Sequence, residues 1–249
     1  MLFFKRKQPQ LRALKLYSVS STTRRPAIHR AVLLEAILSM CQELFGAAPT
    51  KFDIHGPYGI RKGQRVGIKA FRSKLERRGH DDYYAIDGEA PGSFGFGCLF
   101  DARTATEHVY SELVFWYQLT TNTIDVVSLA SSLSAVFPSD YGFVIDLPAD
   151  HFASEEAKFK RTLSGVSLKP NEQLFQWRSK IGSVLQGKVR GLYEYNFLND
   201  TQVEELRSVG LPPTSTLREG LNLLVFSDPD SLKSAQARYA QTMRASFNA

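Results

Sequence analysis

Five histidines, two cysteines and a scatter of carboxylates are the raw material for catalysis or metal binding in this 249-residue chain. Among His29, His55, His80, His108 and His151 no two have the four-residue spacing that puts a pair of imidazoles on one helix face, and none stands at ligand spacing from a cysteine. Cys41 and Cys98 alone are too few for a zinc site or a disulfide framework, and Cys41 falls on an apolar helical face, where a thiol serves as a small core residue. Asp53 and His55 share one face of a short strand segment ending at Gly56-Pro57. An aspartate orienting an imidazole makes a general base, but the same pair is also an ordinary polar strand end, and no nucleophile accompanies it. There is no Gly-x-Ser-x-Gly elbow, and no carboxylate spacing selects an acid–base pair. The glycines of Gly92-Ser93-Phe94-Gly95-Phe96-Gly97 alternate with phenylalanine inside a strand, and no helix follows to present amides to a phosphate. The residues thus predict no catalytic group, no cofactor and no metal site: a protein that is not an enzyme.

Charge is more informative. The chain carries 31 Lys+Arg against 25 Asp+Glu, a net +6. Arg61, Lys62, Arg65, Lys69, Arg72, Lys74, Arg77 and Arg78 stand against Glu76 alone. If 64–78 is helical, Arg61, Arg65, Lys69 and Arg72 fall along one stripe, with Val66, Ile68, Phe71 and Leu75 elsewhere. Such a stripe fits phosphates, and equally a solvated helix face. The sign then reverses through Asp81, Asp82, Asp87 and Glu89. An acidic strip beside a basic one is either local neutralisation or a protein-docking surface, where complementary charge steers encounter.

The elements that must position these groups follow from periodicity. Residues 1–12 read as a loose basic leader, unlike a secretory signal, whose charge precedes a longer apolar run. Residues 14–19 alternate as a strand. Leu33, Ile37, Cys41 and Phe45 recur at helical steps over 28–45, and Gly46 and Pro49 end that helix. Strands are predicted at 52–57, 83–86 and 94–100. The segment 109–119 has apolar groups on both faces, so it belongs in the middle of a sheet. Asp125 caps a helix that Pro138 stops, and 141–148 is a strand. Helices are expected at 154–164 and 171–186, the second burying Leu174, Trp177, Ile181, Val184 and Leu185. A strand or edge at 189–198, a short helix at 200–208, a strand at 221–226 and a helix at 229–246 opened by Asp228-Pro229 complete the chain. Interleaved elements without a βαβ repeat give an α+β fold: a mixed, mainly antiparallel sheet with packed helices. The 249 residues form one domain, or two closely packed halves joined near Asp150. No apolar run reaches the roughly 20 residues of a membrane span, and the composition fits a soluble protein of a reducing compartment.

Three segments carry a resemblance. They are Tyr110-Ser111-Glu112-Leu113-Val114-Phe115-Trp116, then Phe137-Pro138-Ser139-Asp140-Tyr141-Gly142-Phe143, then Val189-Arg190-Gly191-Leu192-Tyr193-Glu194-Tyr195-Asn196-Phe197-Leu198. Their order resembles bacterial type VI secretion immunity proteins of the DUF3396 type and the neighbouring immunity protein 52 family. The resemblance spans about two-thirds of the chain and leaves residues 1–50 unsupported. It implies a cytoplasmic, non-enzymatic antitoxin that binds a cognate secreted toxin, a nuclease effector in many such systems, and occludes its active site; it transfers no catalytic residue. Inhibitors of cationic nucleases are expected to be acidic, whereas this chain is +6. If the interface is acidic, then, it is local, with Asp81, Asp82, Asp87 and Glu89 the partner-binding candidates. The alternative is a nucleic-acid-binding module using Arg61, Arg65, Lys69 and Arg72.

Overall fold

The structure, a computed structural model, describes residues 10–21, 28–55, 65–76, 84–90, 94–104, 106–119, 124–162, 165–168, 171–218 and 220–247. In chain order, β1 is Gln10–Ser21, α1 Arg30–Phe45, β2 Lys51–His55, α2 Ile68–Glu76, β3 Tyr84–Ala90, β4 Phe94–Arg103 and β5 His108–Gln118. Next come α3 Val126–Val136, β6 Tyr141–Pro148, β7 His151–Phe152, β8 Ala157–Thr162, β9 Gly165–Leu168 and α4 Glu172–Ser179. A 3-10 turn Ile181–Gln186 precedes β10 Tyr195–Leu198, α5 Asp200–Ser208, β11 Ser215–Arg218, β12 Leu221–Val225 and α6 Pro229–Phe247.

Nine strands make one sheet, in the order β11-β12-β10-β6-β1-β5-β4-β3-β2, and β7-β8-β9 form a small second sheet. Every pairing in the large sheet is antiparallel. The sheet runs across Asp150, joining strands from both halves of the chain into one α+β domain. Both central strands are buried on two faces, which is why β5 reads as almost continuously apolar. One face, with Leu14, Leu16, Phe96, Leu113 and Phe115, packs under α1, α2 and α3. The other, with Tyr17, Val19, Tyr110 and Phe143, lies under the 3-10 turn, α5 and α6. Each such apolar side chain contributes about 2 kcal/mol through the area it withdraws from water.

Local signals act as the sequence predicts. The Asp125 carboxylate accepts from the amides of Val127 at 2.9 Å and Ser128 at 3.2 Å. The Asp228 carboxylate accepts from Ser231 at 2.8 Å, opening α6. Gly46 ends α1 at φ 65°, the left-handed region that glycine enters without strain.

Several expectations are corrected. Gln10–Arg12 are not leader: Leu11 is buried and Arg12 pairs with Asp146 at 2.7 Å. The expected helix at 154–164 is a turn followed by β8, because Glu155 and Glu156 are drawn into tertiary ion pairs and Glu156 adopts φ 48°, outside a right-handed helix. The expected helix at 171–186 breaks at Lys180 into α4 and the 3-10 turn. There Gly182 lies against the His108 ring, and a Cβ would come within 2.5 Å of it. That change of pitch turns Leu185 out to solvent, although Leu174, Ile181 and Val184 are buried as expected. In 189–198 only Tyr195–Leu198 pairs as a strand. Finally, α2 starts at Ile68 instead of 64, because Val66 bridges Phe52 of the edge strand β2.

Candidate functional site

Strand alternation places Ala13, Lys15, Tyr17 and Val19 of β1 on the face shared with Tyr110, Glu112 and Val114 of β5. The register pairs Tyr17 with Glu112 and Lys15 with Val114, so the lysine lies diagonally beside the glutamate. The Lys15 ammonium reaches the Glu112 carboxylate at 3.3 Å, that of Glu156 at 2.8 Å, and the Ser154 carbonyl at 3.1 Å. Arg178, on α4, grips the second oxygen of Glu112 through Nη2 at 2.7 Å and Nε at 3.1 Å. It also donates to Glu155 at 2.9 Å and to the Ser154 carbonyl at 3.0 Å. Arg190 forks onto both oxygens of Glu156, its Nη2 lying 2.6 Å from Oε2. The Tyr17 hydroxyl donates to Glu112 at 3.1 Å.

Burial defines what this network can do. The side chains of Lys15, Glu112 and Glu156 are 0%, 2% and 3% exposed, so no substrate reaches them from solvent. Burial alone would push the Glu112 carboxyl up, but Arg178 and Lys15 outweigh it and hold it below its usual range. The Glu156 carboxyl is likewise raised by burial and lowered more strongly by Lys15 and Arg190, ending at about 2. Both carboxylates are ionised at neutral pH and their charge is consumed internally. A network of this kind fixes geometry more than it adds stability, since desolvation offsets much of the attraction.

The three segments that carry the resemblance meet around it. Glu112 comes from the first, Tyr141 and Phe143 from the second, and Arg190, Tyr193 and Asn196 from the third. The Tyr141 hydroxyl accepts from the Arg190 amide at 3.2 Å, and Tyr193 stacks on Phe143 with ring centroids 4.2 Å apart. Asn196, fully buried, accepts from the Tyr193 amide at 2.9 Å and donates to the carbonyls of Tyr193 and Leu224 at 2.7 and 3.2 Å. Gly142 is required by close approach: a Cβ there would lie 2.7 Å from the Lys15 carbonyl and from Leu16. These residues therefore hold the middle of the sheet together.

The sequence candidates lie elsewhere. Lys69 and Arg72 are exposed on α2 while Phe71 and Leu75 point into the core; Arg65 precedes the helix, and Arg61 lies outside the described residues. Arg72 pairs with Glu35 of α1 at 2.7 Å. Asp81 and Asp82 also lie outside the described residues. Asp87 is in register with Asp53 of β2 and Gly97 of β4, and Glu89 with Lys51 and Gly95, so both sit one strand in from the sheet edge. The Asp53 carboxylate accepts from the Ile54 amide at 2.8 Å. Cys41 is buried on α1, and burial pushes its thiol up to about 12, leaving it a poor nucleophile. Trp116 and Trp177 are half-buried, Trp177 packing edge-on to Tyr17 and Tyr141. Sequence reasoning missed the ion network itself. Its signal was a lone lysine and a lone glutamate on the inward faces of two otherwise apolar central strands.

Fold and site together define an α+β protein whose antiparallel sheet is covered by helices on both faces and keyed by an internal ion network. No family model matches the chain, and no curated protein matches it. A solved structure, that of the Pseudomonas aeruginosa T6SS protein PA0821, shares the fold with a TM-score of 0.51 at 10% identity, over 92% of this chain and 73% of that one. Among the described residues, no helix is long and apolar enough to cross a membrane.

Proposed function

We propose that this chain is a type VI secretion immunity protein, which binds a cognate secreted toxin in the cytoplasm and neutralises it without chemistry of its own. The observation that carries this reading is the fold shared with a T6SS protein over 92% of the chain. The order of the three segments, which resembles the DUF3396-type and immunity protein 52 families, supports it independently. The target is a nuclease effector whose active site the protein occludes, and Asp81, Asp82, Asp87 and Glu89 supply the acidic part of the contact. A stable complex of this sort buries roughly 1,600 Å² in total. The test is co-expression with any secreted-effector gene found next to its own, scored by survival and then by co-purification. Survival with a one-to-one complex supports the proposal; death with no complex overturns it. A second reading rests on the exposed Lys69 and Arg72 of α2, which suit a nucleic-acid backbone. It requires affinity that falls steeply with salt and is lost when Arg65, Lys69 and Arg72 are reversed in charge.

A further inference from the structure

We infer that residues 151–162 and 165–168 form a strap, latched by charge over an apolar patch of the large sheet, that opens as one unit while the sheet stays folded. The inference does not depend on the proposed function. Three observations carry it. First, β7, β8 and β9 hydrogen-bond in register with one another and not with the nine-stranded sheet. The strap is thus a separate ladder laid across the face of β1 and β5.

Second, the patch beneath it is apolar: Leu11, Ala13, Val114 and Leu147, with Trp116 and Ile145 at its margin. Among the described side chains, the strap gives this patch Ala153.

Third, among the described side chains a polar fastening gathers in one turn, Ser154–Glu156. The Ser154 carbonyl accepts from Lys15 and Arg178, Glu155 pairs with Arg178, and Glu156 pairs with Lys15 and Arg190. Asn171, the cap of α4, donates to the Glu156 carbonyl at 3.4 Å and closes the far end of the strap. Three cations from β1, α4 and the 189–194 segment therefore clasp one turn. Glu156 joins two of them, which makes it the pin of the latch. Charge-assisted bonds of this kind are strong while every partner is present, and they fail together when one is removed.

The experiment is native-state hydrogen exchange on the full chain, read peptide by peptide. In wild type under mild urea, amides of Ala157–Thr162 should exchange through an opening with a smaller urea dependence than those of β1, β5 and β6. In Glu156→Gln their exchange should rise about 10- to 100-fold, with the three central strands, whose global opening breaks the same bonds, rising by no more than that factor. Glu155→Gln, which removes the half-exposed partner of Arg178, should give a smaller rise. Exchange of strap and central strands at one rate and one urea dependence in wild type would overturn the inference. So would a Glu156→Gln protein in which the strap keeps its wild-type protection. If that variant fails to fold, the wild-type urea series decides alone.

Discussion

Lys15→Met and Glu112→Gln remove opposite halves of one buried ion pair, and the structure makes them unequal. The network holds three cations, Lys15, Arg178 and Arg190, against two fully buried carboxylates, Glu112 and Glu156, with Glu155 43% exposed at its rim. Without Lys15, each buried carboxylate keeps its own arginine, Glu112 with Arg178 and Glu156 with Arg190, and two charges face two. The variant loses the lysine's bonds but also the cost of desolvating an ammonium, and methionine fills a similar volume. Its destabilisation should be about 1–2 kcal/mol. Without Glu112, Lys15 and Arg178 lose their shared partner, and three cations, Lys15 fully buried among them, face one buried carboxylate. Leaving a buried charge uncompensated costs about 3–5 kcal/mol. Urea titration at pH 7, followed by circular dichroism and tryptophan fluorescence, measures both differences. The double variant should recover part of the Glu112→Gln loss, because it removes one of the stranded cations; the cycle gives that coupling directly. A Lys15→Met loss equal to or larger than that of Glu112→Gln would refute the reasoning, since the lysine would then be the indispensable charge.

Acid should act through the same carboxylates. Glu156 moves from 4.5 in the unfolded chain to about 2 in the fold, so the folded state binds its proton less tightly. Its contribution, about 3 kcal/mol, is fully present above roughly pH 4.5 and is lost as pH falls toward 2; Glu112 shifts in the same direction. Urea midpoints at pH 7, 4.5 and 3 should therefore stay level over the first interval and drop over the second. Gly142→Ala forces a Cβ to within 2.7 Å of the Lys15 carbonyl between two central strands, so it should cost more than about 2 kcal/mol or abolish soluble expression. Asp125→Ala removes the N-cap of α3 and should cost about 1 kcal/mol with the fold unchanged, measured by thermal unfolding.

How much the sequence reveals depends on whether the deciding force is local. The N-caps Asp125 and Asp228, the Gly46 stop and the double-faced apolar strand 108–118 are all legible because a side chain acts on its own or adjacent backbone. Placing β5 in the middle of the sheet follows from its pattern in the same way. The segment 153–162 is not legible: Ser154-Glu155-Glu156 looks like a helix start, and only cations from positions 15, 178 and 190 convert it to a turn. The break at Lys180 depends on a histidine ring about seventy residues earlier in the chain. The ion network is illegible for the same reason. Lys15 and Glu112 are unremarkable singly, and only the β1–β5 register makes them neighbours. Charge runs such as 61–78 and 81–89 stand out because they are contiguous, yet contiguity in sequence says little about which charges converge in space.

The place of β1 in the sheet bears on how the chain is made. It is the earliest strand described, yet it lies between β5 and β6, which leave the ribosome roughly a hundred residues later. At a synthesis rate of about 5–20 residues per second it waits unpaired for about 5–20 s. A bare apolar stripe of that age, Leu11, Ala13, Tyr17 and Val19 along one face, is an invitation to strand-to-strand aggregation. Lys15 interrupts the stripe midway, and a charge within an apolar strand is a known deterrent to such pairing. The residue that ends up fully buried thus has an earlier occupation as a guard on the nascent chain, before any partner exists to neutralise it.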